Sequence, residues 1–144
     1  MSLLTMLGVP LSVINKTKYV LQLRAVISWV KAGARGTILL PTATGKSFVA
    51  LLAIKKMHNR FGEDKTTIII VPDSNLKEQW EGIVRSLELP NVKVYVINTV
   101  ALYGYKYKCD LLVVDEVHET PSMKFRQIFT NVTYDWLMCL TATI

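Results

Sequence analysis

The run Pro41-Thr42-Ala43-Thr44-Gly45-Lys46-Ser47 places a glycine, a lysine and a hydroxyl where an apolar stretch gives way to a helical pattern. A chain that leaves a strand and turns into a helix points several backbone N–H groups, and the positive end of the helix dipole, at one spot suited to an anion. Gly45 lets the backbone approach phosphate oxygens without a Cβ in the way. Lys46 reaches the β and γ phosphates as a point charge, and the Ser47 hydroxyl can join a magnesium shell. The pattern is a phosphate-binding loop whose first glycine is replaced by Leu40. Taken alone, the same residues would also serve as an ordinary turn and cap. A second group, Asp115-Glu116-Val117-His118, sets two carboxylates side by side behind an apolar run. One acid can hold Mg²⁺ while its neighbour orients and deprotonates a water.

These residues need elements that carry them to one place. Thr37-Ile38-Leu39-Leu40 is an apolar stretch of strand length, and Leu111-Leu112-Val113-Val114 reads as a strand buried on both faces, being short, continuous and apolar. The wider pattern predicts a helix over 16–31, strand 37–41, helix 46–60, strand 66–71, helix 75–87 and strand 92–98. Strands near 110–115 and 136–141 follow, with a short helix over 122–129 between them. Strands alternating with helices argue for an α/β fold with a parallel sheet and helices on both faces. In such a sheet ligands sit outside the carboxyl ends of the strands, so the loop at 41–47 and the acids at 115–116 share one edge.

With those residues in view the chain resembles the superfamily-2 (DExH-type) helicases, specifically their N-terminal RecA-like ATP-binding domain, a P-loop NTPase fold. Pro41 to Ser47 resembles motif I (Walker A), Asp115 to His118 motif II (Walker B), and Thr141-Ala142-Thr143 motif III. Val71 to Trp80 resembles motif Ia, and Asn98-Thr99-Val100 falls at motif Ib. Gln22 resembles the upstream adenine-reading glutamine, although Tyr19 and Leu21 stand where the family has an arginine and an aromatic residue. The resemblance runs from about Lys16 to Ile144. It implies ATP and Mg²⁺ as cofactors, with Ser47 and Asp115 on the metal, Lys46 on the phosphates, Glu116 as catalytic base and His118 linking motif II to motif III. It implies that Asp73, Ser74, Asn75, Asn98 and Thr99 face nucleic acid opposite the ATP edge, with DNA before RNA. Thr141 and Thr143 would couple the two sites. The strand before Thr141 should lie between those ending at Pro41 and Asp115. Motifs IV to VI, which the family carries on a second RecA-like domain with its arginine fingers, have no counterpart here. The implied activity is therefore half a motor, an ATP-dependent helicase or translocase domain that turns over very slowly until joined to that partner.

Composition fits this reading. A chain of 144 residues that is 51% hydrophobic suits one domain, 1–144, with 1–15 as an N-terminal extension. No apolar run approaches the roughly 20 residues of a membrane span, and the expected setting is cytoplasmic, or the host cytoplasm for a viral protein. The net charge of +6 favours a polyanionic partner. Tyr103-Gly104-Tyr105-Lys106-Tyr107-Lys108 could stack bases, but half-buried tyrosines between solvated lysines explain it as well. Cys109 and Cys139 read as buried apolar residues, without a metal or disulfide framework. Two other functions use parts of the pattern. A small-molecule kinase would explain Gly45-Lys46-Ser47 but neither Asp115-Glu116 nor Thr141-Thr143. A module that holds ATP and nucleic acid without hydrolysis, or docks a partner, would use them all.

Overall fold

A computed structural model of the chain describes residues 16–41, 46–102, 104–116 and 121–143. Along it run α1 (Lys16–Lys31), β1 (Arg35–Pro41), α2 (Lys46–Phe61), β2 (Thr67–Val71), α3 (Ser74–Ser86) and β3 (Val92–Val96). There follow α4 (Ile97–Val100), β4 (Tyr107–Lys108), β5 (Leu111–Val114), α5 (Ser122–Asn131), β6 (Val132–Thr133) and β7 (Trp136–Thr143). Five strands pair in the order β1-β7-β5-β2-β3, every pair parallel. The last strand in sequence is thus inserted between β1 and β5, as the resemblance implies.

Because side chains alternate across a strand, a sheet covered on both faces sends every second residue to a different core. Ile69, Val71, Leu111, Val113, Met138 and Leu140 join Val26, Trp29, Leu52, Ile54 and Trp80 under α1, α2 and α3. Ile68, Ile70, Leu112, Val114 and Cys139 instead meet Ile97, Val100, Ile128 and Val132 under α4 and α5. No helix among the described residues is long and apolar enough to cross a membrane.

Polar contacts fix the register at the amino ends of the strands. The Asp110 carbonyl accepts from the backbone N–H of Asp135 and of Trp136, at 3.1 and 2.8 Å. Its Oδ2 accepts from Thr66 N at 2.8 Å. One residue therefore ties the starts of β2, β5 and β7 together. Trp29 Nε1 donates to the Leu137 carbonyl at 2.7 Å and Arg35 Nε to that of Asp135 at 2.9 Å, which anchors α1 and β1 to the same end of β7. This is also why β1 begins at Arg35, two residues before the expected start.

The strand expected over 92–98 is corrected: β3 ends at Val96 and α4 takes Ile97–Val100. Ile97 and Val100 are both buried while Asn98 and Thr99 are exposed, a spacing of three that suits a helical turn and not a strand. In the aromatic and basic run, Tyr107 pairs through β4 with β6 and packs edge-on to Tyr95 at 5.2 Å. Lys106 Nζ donates to the Thr130 carbonyl at 3.3 Å, and Tyr105 is exposed. Tyr107 thus follows the structural reading of the run.

Burial pushes the Cys109 thiol up to about 12, against a lowering hydrogen bond from the Ile68 backbone, and the Cys139 thiol up to about 11. An unfolded thiol ionises near 9. Above that pH the unfolded chain binds fewer protons than the folded one, so these two groups make stability fall as pH rises from 9 towards 11. At about pH 8 a disulfide-exchange reagent should label neither cysteine until denaturant is added. Rapid labelling of the native chain would show that the two thiols are not buried.

Candidate functional site

The paired register sets the shape of the carboxyl edge. Val114 lies level with Cys139, whereas β1 and β7 stay paired as far as Pro41 and Thr143. Two strands therefore overhang the end of β5 and form a step beside Asp115. Thr141 stands two residues beyond the Val114 row, about 7 Å further along β7 at roughly 3.3 Å per residue. It is buried to 7% exposure, opposite Leu39. Beyond the end of β1 the chain resumes in α2, whose first two residues are Lys46 and Ser47.

Asp115 is the best-defined member of the site. It is 4% exposed, and a buried carboxylate must be hydrogen-bonded. Its own N–H donates to the Ile70 carbonyl at 2.8 Å, a contact that keeps it against β2. Its Oδ2 accepts from Trp80 Nε1 at 2.9 Å and its Oδ1 from Glu116 N at 2.9 Å. The second bond requires a sharp turn, and Glu116 sits at φ 54° in the left-handed region that residues with a Cβ seldom occupy. Such local strain concentrates at functional sites because the surrounding structure must hold it in place.

A buried carboxylate and a helix-start hydroxyl on Ser47 are oxygen donors of the kind a hard divalent cation takes. Among the described residues no cluster of three or more His, Cys, Asp or Glu side chains could form a complete cage. Oxygen donors of this kind suit Mg²⁺, which keeps waters and substrate phosphates in its shell.

The remaining residues fall as follows. Gln22 is 7% exposed on α1, which packs against α2 and β1. Thr42, Ala43, Thr44, Gly45 and His118 lie outside the described residues. Thr143 ends β7, level with Pro41. The segments at 73–75 and 98–99 follow β2 and β3, so the parallel register puts them on the same carboxyl edge as Asp115, displaced along the strand order. The expectation that they lie opposite the ATP edge is corrected accordingly, since in an all-parallel sheet every strand ends on one side.

Asp73 caps α3, its Oδ1 accepting from Leu76 N at 2.9 Å. A carboxylate so used repels phosphate, so Ser74 and Asn75, both exposed at the helix start, are the better contacts there. Asn98 Oδ1 accepts from Lys124 Nζ of α5. Sequence reasoning missed this basic neighbour because 26 residues separate the pair. It also missed the role of Trp80, whose signal was an indole with an N–H to satisfy on an amphipathic helix. A cavity of about 280 Å³ opens at the other end of the sheet, between Trp29, Met57, Phe61 and Trp136. Ligands of parallel sheets bind at the carboxyl ends, so this cavity is not the phosphate site.

The fold and this edge define a RecA-like helicase core, the N-terminal domain of a superfamily-2 helicase or translocase. The family model of the type III restriction enzyme res subunit matches residues 12–101, and the chain belongs to that family. It is 32% identical over 139 residues to the DNA 3'-5' translocase XPB2 of Sulfurisphaera tokodaii, an alignment that covers 85% of this chain and 30% of that protein. Among solved structures it is similar to the UvsW helicase of bacteriophage T4, at a TM-score of 0.65 and 18% identity, covering 83% of this chain and 50% of that one. The Sulfolobus solfataricus SWI2/SNF2 ATPase core in complex with dsDNA superposes at a TM-score of 0.67 and 14% identity, over 89% and 31% of the two chains. The two structural matches establish fold alone.

Replacing the cap should separate stability from binding at this edge. Asp73→Ala is expected to lower unfolding free energy by about 1 kcal/mol in urea titrations, and Asp73→Asn to leave it nearly unchanged. Equal losses in both variants would mean that the carboxylate charge, and not the cap bond, is what matters.

Proposed function

We propose that this domain binds Mg²⁺ and ATP at the step formed by β1, β7 and β5, and serves as one half of a DNA translocase or helicase motor. The observation that carries the reading is the convergence of three chain segments on one sheet edge. These are the start of α2, Asp115 at the end of β5, and Thr141 on the strand inserted between them.

The roles follow from the chemistry of each residue. Lys46 binds the β and γ phosphates, with Thr42, Ala43, Thr44 and Gly45 contributing backbone N–H groups, and Gln22 reads adenine. Ser47 and Asp115 would hold the metal, which when bound neutralises charge developing on the phosphates. Glu116 accepts a proton from the attacking water, and His118 and Thr143 carry the state of the γ phosphate towards motif III. Thr141 stands on β7 between β1, which leads to Lys46, and β5, which ends at Asp115, so that a change on either side would reach it. Ser74, Asn75, Asn98, Thr99 and the adjacent Lys124 would meet the sugar-phosphate backbone of DNA, contacts that position the strand without reading sequence.

The chain spans 30% of the length of the curated translocase it matches. That share leaves room in such a protein for a second RecA-like domain, the partner proposed to complete this site. An arginine supplied from such a partner contributes on the order of 10³–10⁵ in rate.

Turnover tests the whole reading. The isolated domain should hydrolyse ATP near background, and a partner RecA-like domain with double-stranded DNA should raise the rate at least about a thousandfold. Glu116→Gln should abolish the stimulated rate while keeping nucleotide binding, and Lys46→Ala should lose binding itself. ATP binding with no turnover under any combination would instead mark a module that holds nucleotide without hydrolysing it.

A further inference from the structure

On the amphipathic helix α3 one residue is buried, Trp80, at 2% exposure. Leucine or phenylalanine would also be apolar there, but only tryptophan brings an N–H donor to that part of the core. That N–H goes to Asp115 Oδ2 at 2.9 Å, in a buried bond between residues 35 positions apart. The torsion that turns a carboxylate about its last bond is broad and weakly restrained by itself. Here Trp80 Nε1 holds one oxygen and Glu116 N, at 2.9 Å, holds the other.

We propose that Trp80 is a positioning residue for the metal step, its indole N–H fixing the plane of the Asp115 carboxylate that faces Mg²⁺. The proposal rests on the nucleotide-site reading above. It adds that the metal's demand for near-ideal geometry is met by a residue of motif Ia that touches neither metal nor nucleotide. A hydrogen bond to a charged acceptor is short and about twice as strong as a neutral one, so its loss would be felt at the acceptor. The same helix begins beside Ser74 and Asn75, so the element proposed to meet DNA is also the one that grips the metal-binding carboxylate.

Trp80→Phe keeps the ring and deletes the donor. Calorimetric binding of ADP across a Mg²⁺ titration should show unchanged affinity without metal and a Mg²⁺ requirement raised about tenfold, the order expected for losing one hydrogen bond to a charged group. A purely packing role would lower the unfolding midpoint and leave the Mg²⁺ requirement where it was, and that result would overturn the proposal. Asp115→Asn is the reference. If it loses the Mg²⁺ effect while Trp80→Phe matches the wild type, only the role of Trp80 fails. If the wild type shows no Mg²⁺-dependent binding, the nucleotide-site reading fails and takes the proposal with it.

Should Trp80→Phe not fold, the wild-type indole N–H signal still decides. Assigned by elimination with Trp29→Phe and Trp136→Phe, it should shift when Mg²⁺ joins the ADP complex and stay still in Asp115→Asn. An indole signal indifferent to Mg²⁺ in the wild type would overturn the proposal.

Discussion

The carboxyl edge depends on the register in which β7 is held between β1 and β5. With a side-chain period of two, a slip of one residue would exchange the two cores and move Thr141 away from its place opposite Leu39. That register is set at the far end of the strands. Asp110 ties β2, β5 and β7 with its carbonyl and carboxylate, while Trp29 and Arg35 bond to the backbone of β7. The chemistry at one edge is thus aligned by hydrogen bonds at the other, about four residues away through an apolar core. Continuous apolar strands make this workable, since Leu111–Val114 is buried throughout and offers no polar alternative to the ladder.

A second constraint follows from burial at the edge itself. A carboxylate at 4% exposure is unfavourable unless its oxygens are satisfied, and Asp115 receives one N–H from its own turn and one from α3. The first bond goes with a left-handed Glu116, and the second with a tryptophan on an otherwise amphipathic helix. Strain and an expensive side chain are thus concentrated on the two acids that resemblance marks as motif II. A surface loop that merely ended a strand would need neither.

Much of this was legible in the sequence because β-branched runs of four or five residues leave few alternatives to buried parallel strands. The helix over 16–31 and the acids at 115–116 fell where the pattern placed them. The insertion of β7 between β1 and β5 was readable only through the family resemblance, since periodicity carries no strand order. Where Ile97 and Val100 set a spacing of three across only four residues, the signal was too short to separate a helical turn from the end of a strand. The common edge shared by 73–75, 98–99 and Asp115 is a consequence of parallel pairing that a motif-by-motif reading overlooked. The Trp80 to Asp115 bond spans 35 residues and leaves no local trace beyond an indole that needs an acceptor.

The proposed meeting place of Mg²⁺ and nucleotide is the carboxyl ends of β1, β7 and β5. Backbone amide shifts recorded on adding Mg²⁺ and ADP test it most directly. Changes should concentrate at Ser47, Asp115, Glu116 and Thr141, with Arg35, Thr67, Asp110 and Trp136 at the amino ends left unmoved. Changes gathered instead around Trp29, Phe61 and Trp136, in the cavity at the amino edge, would contradict it.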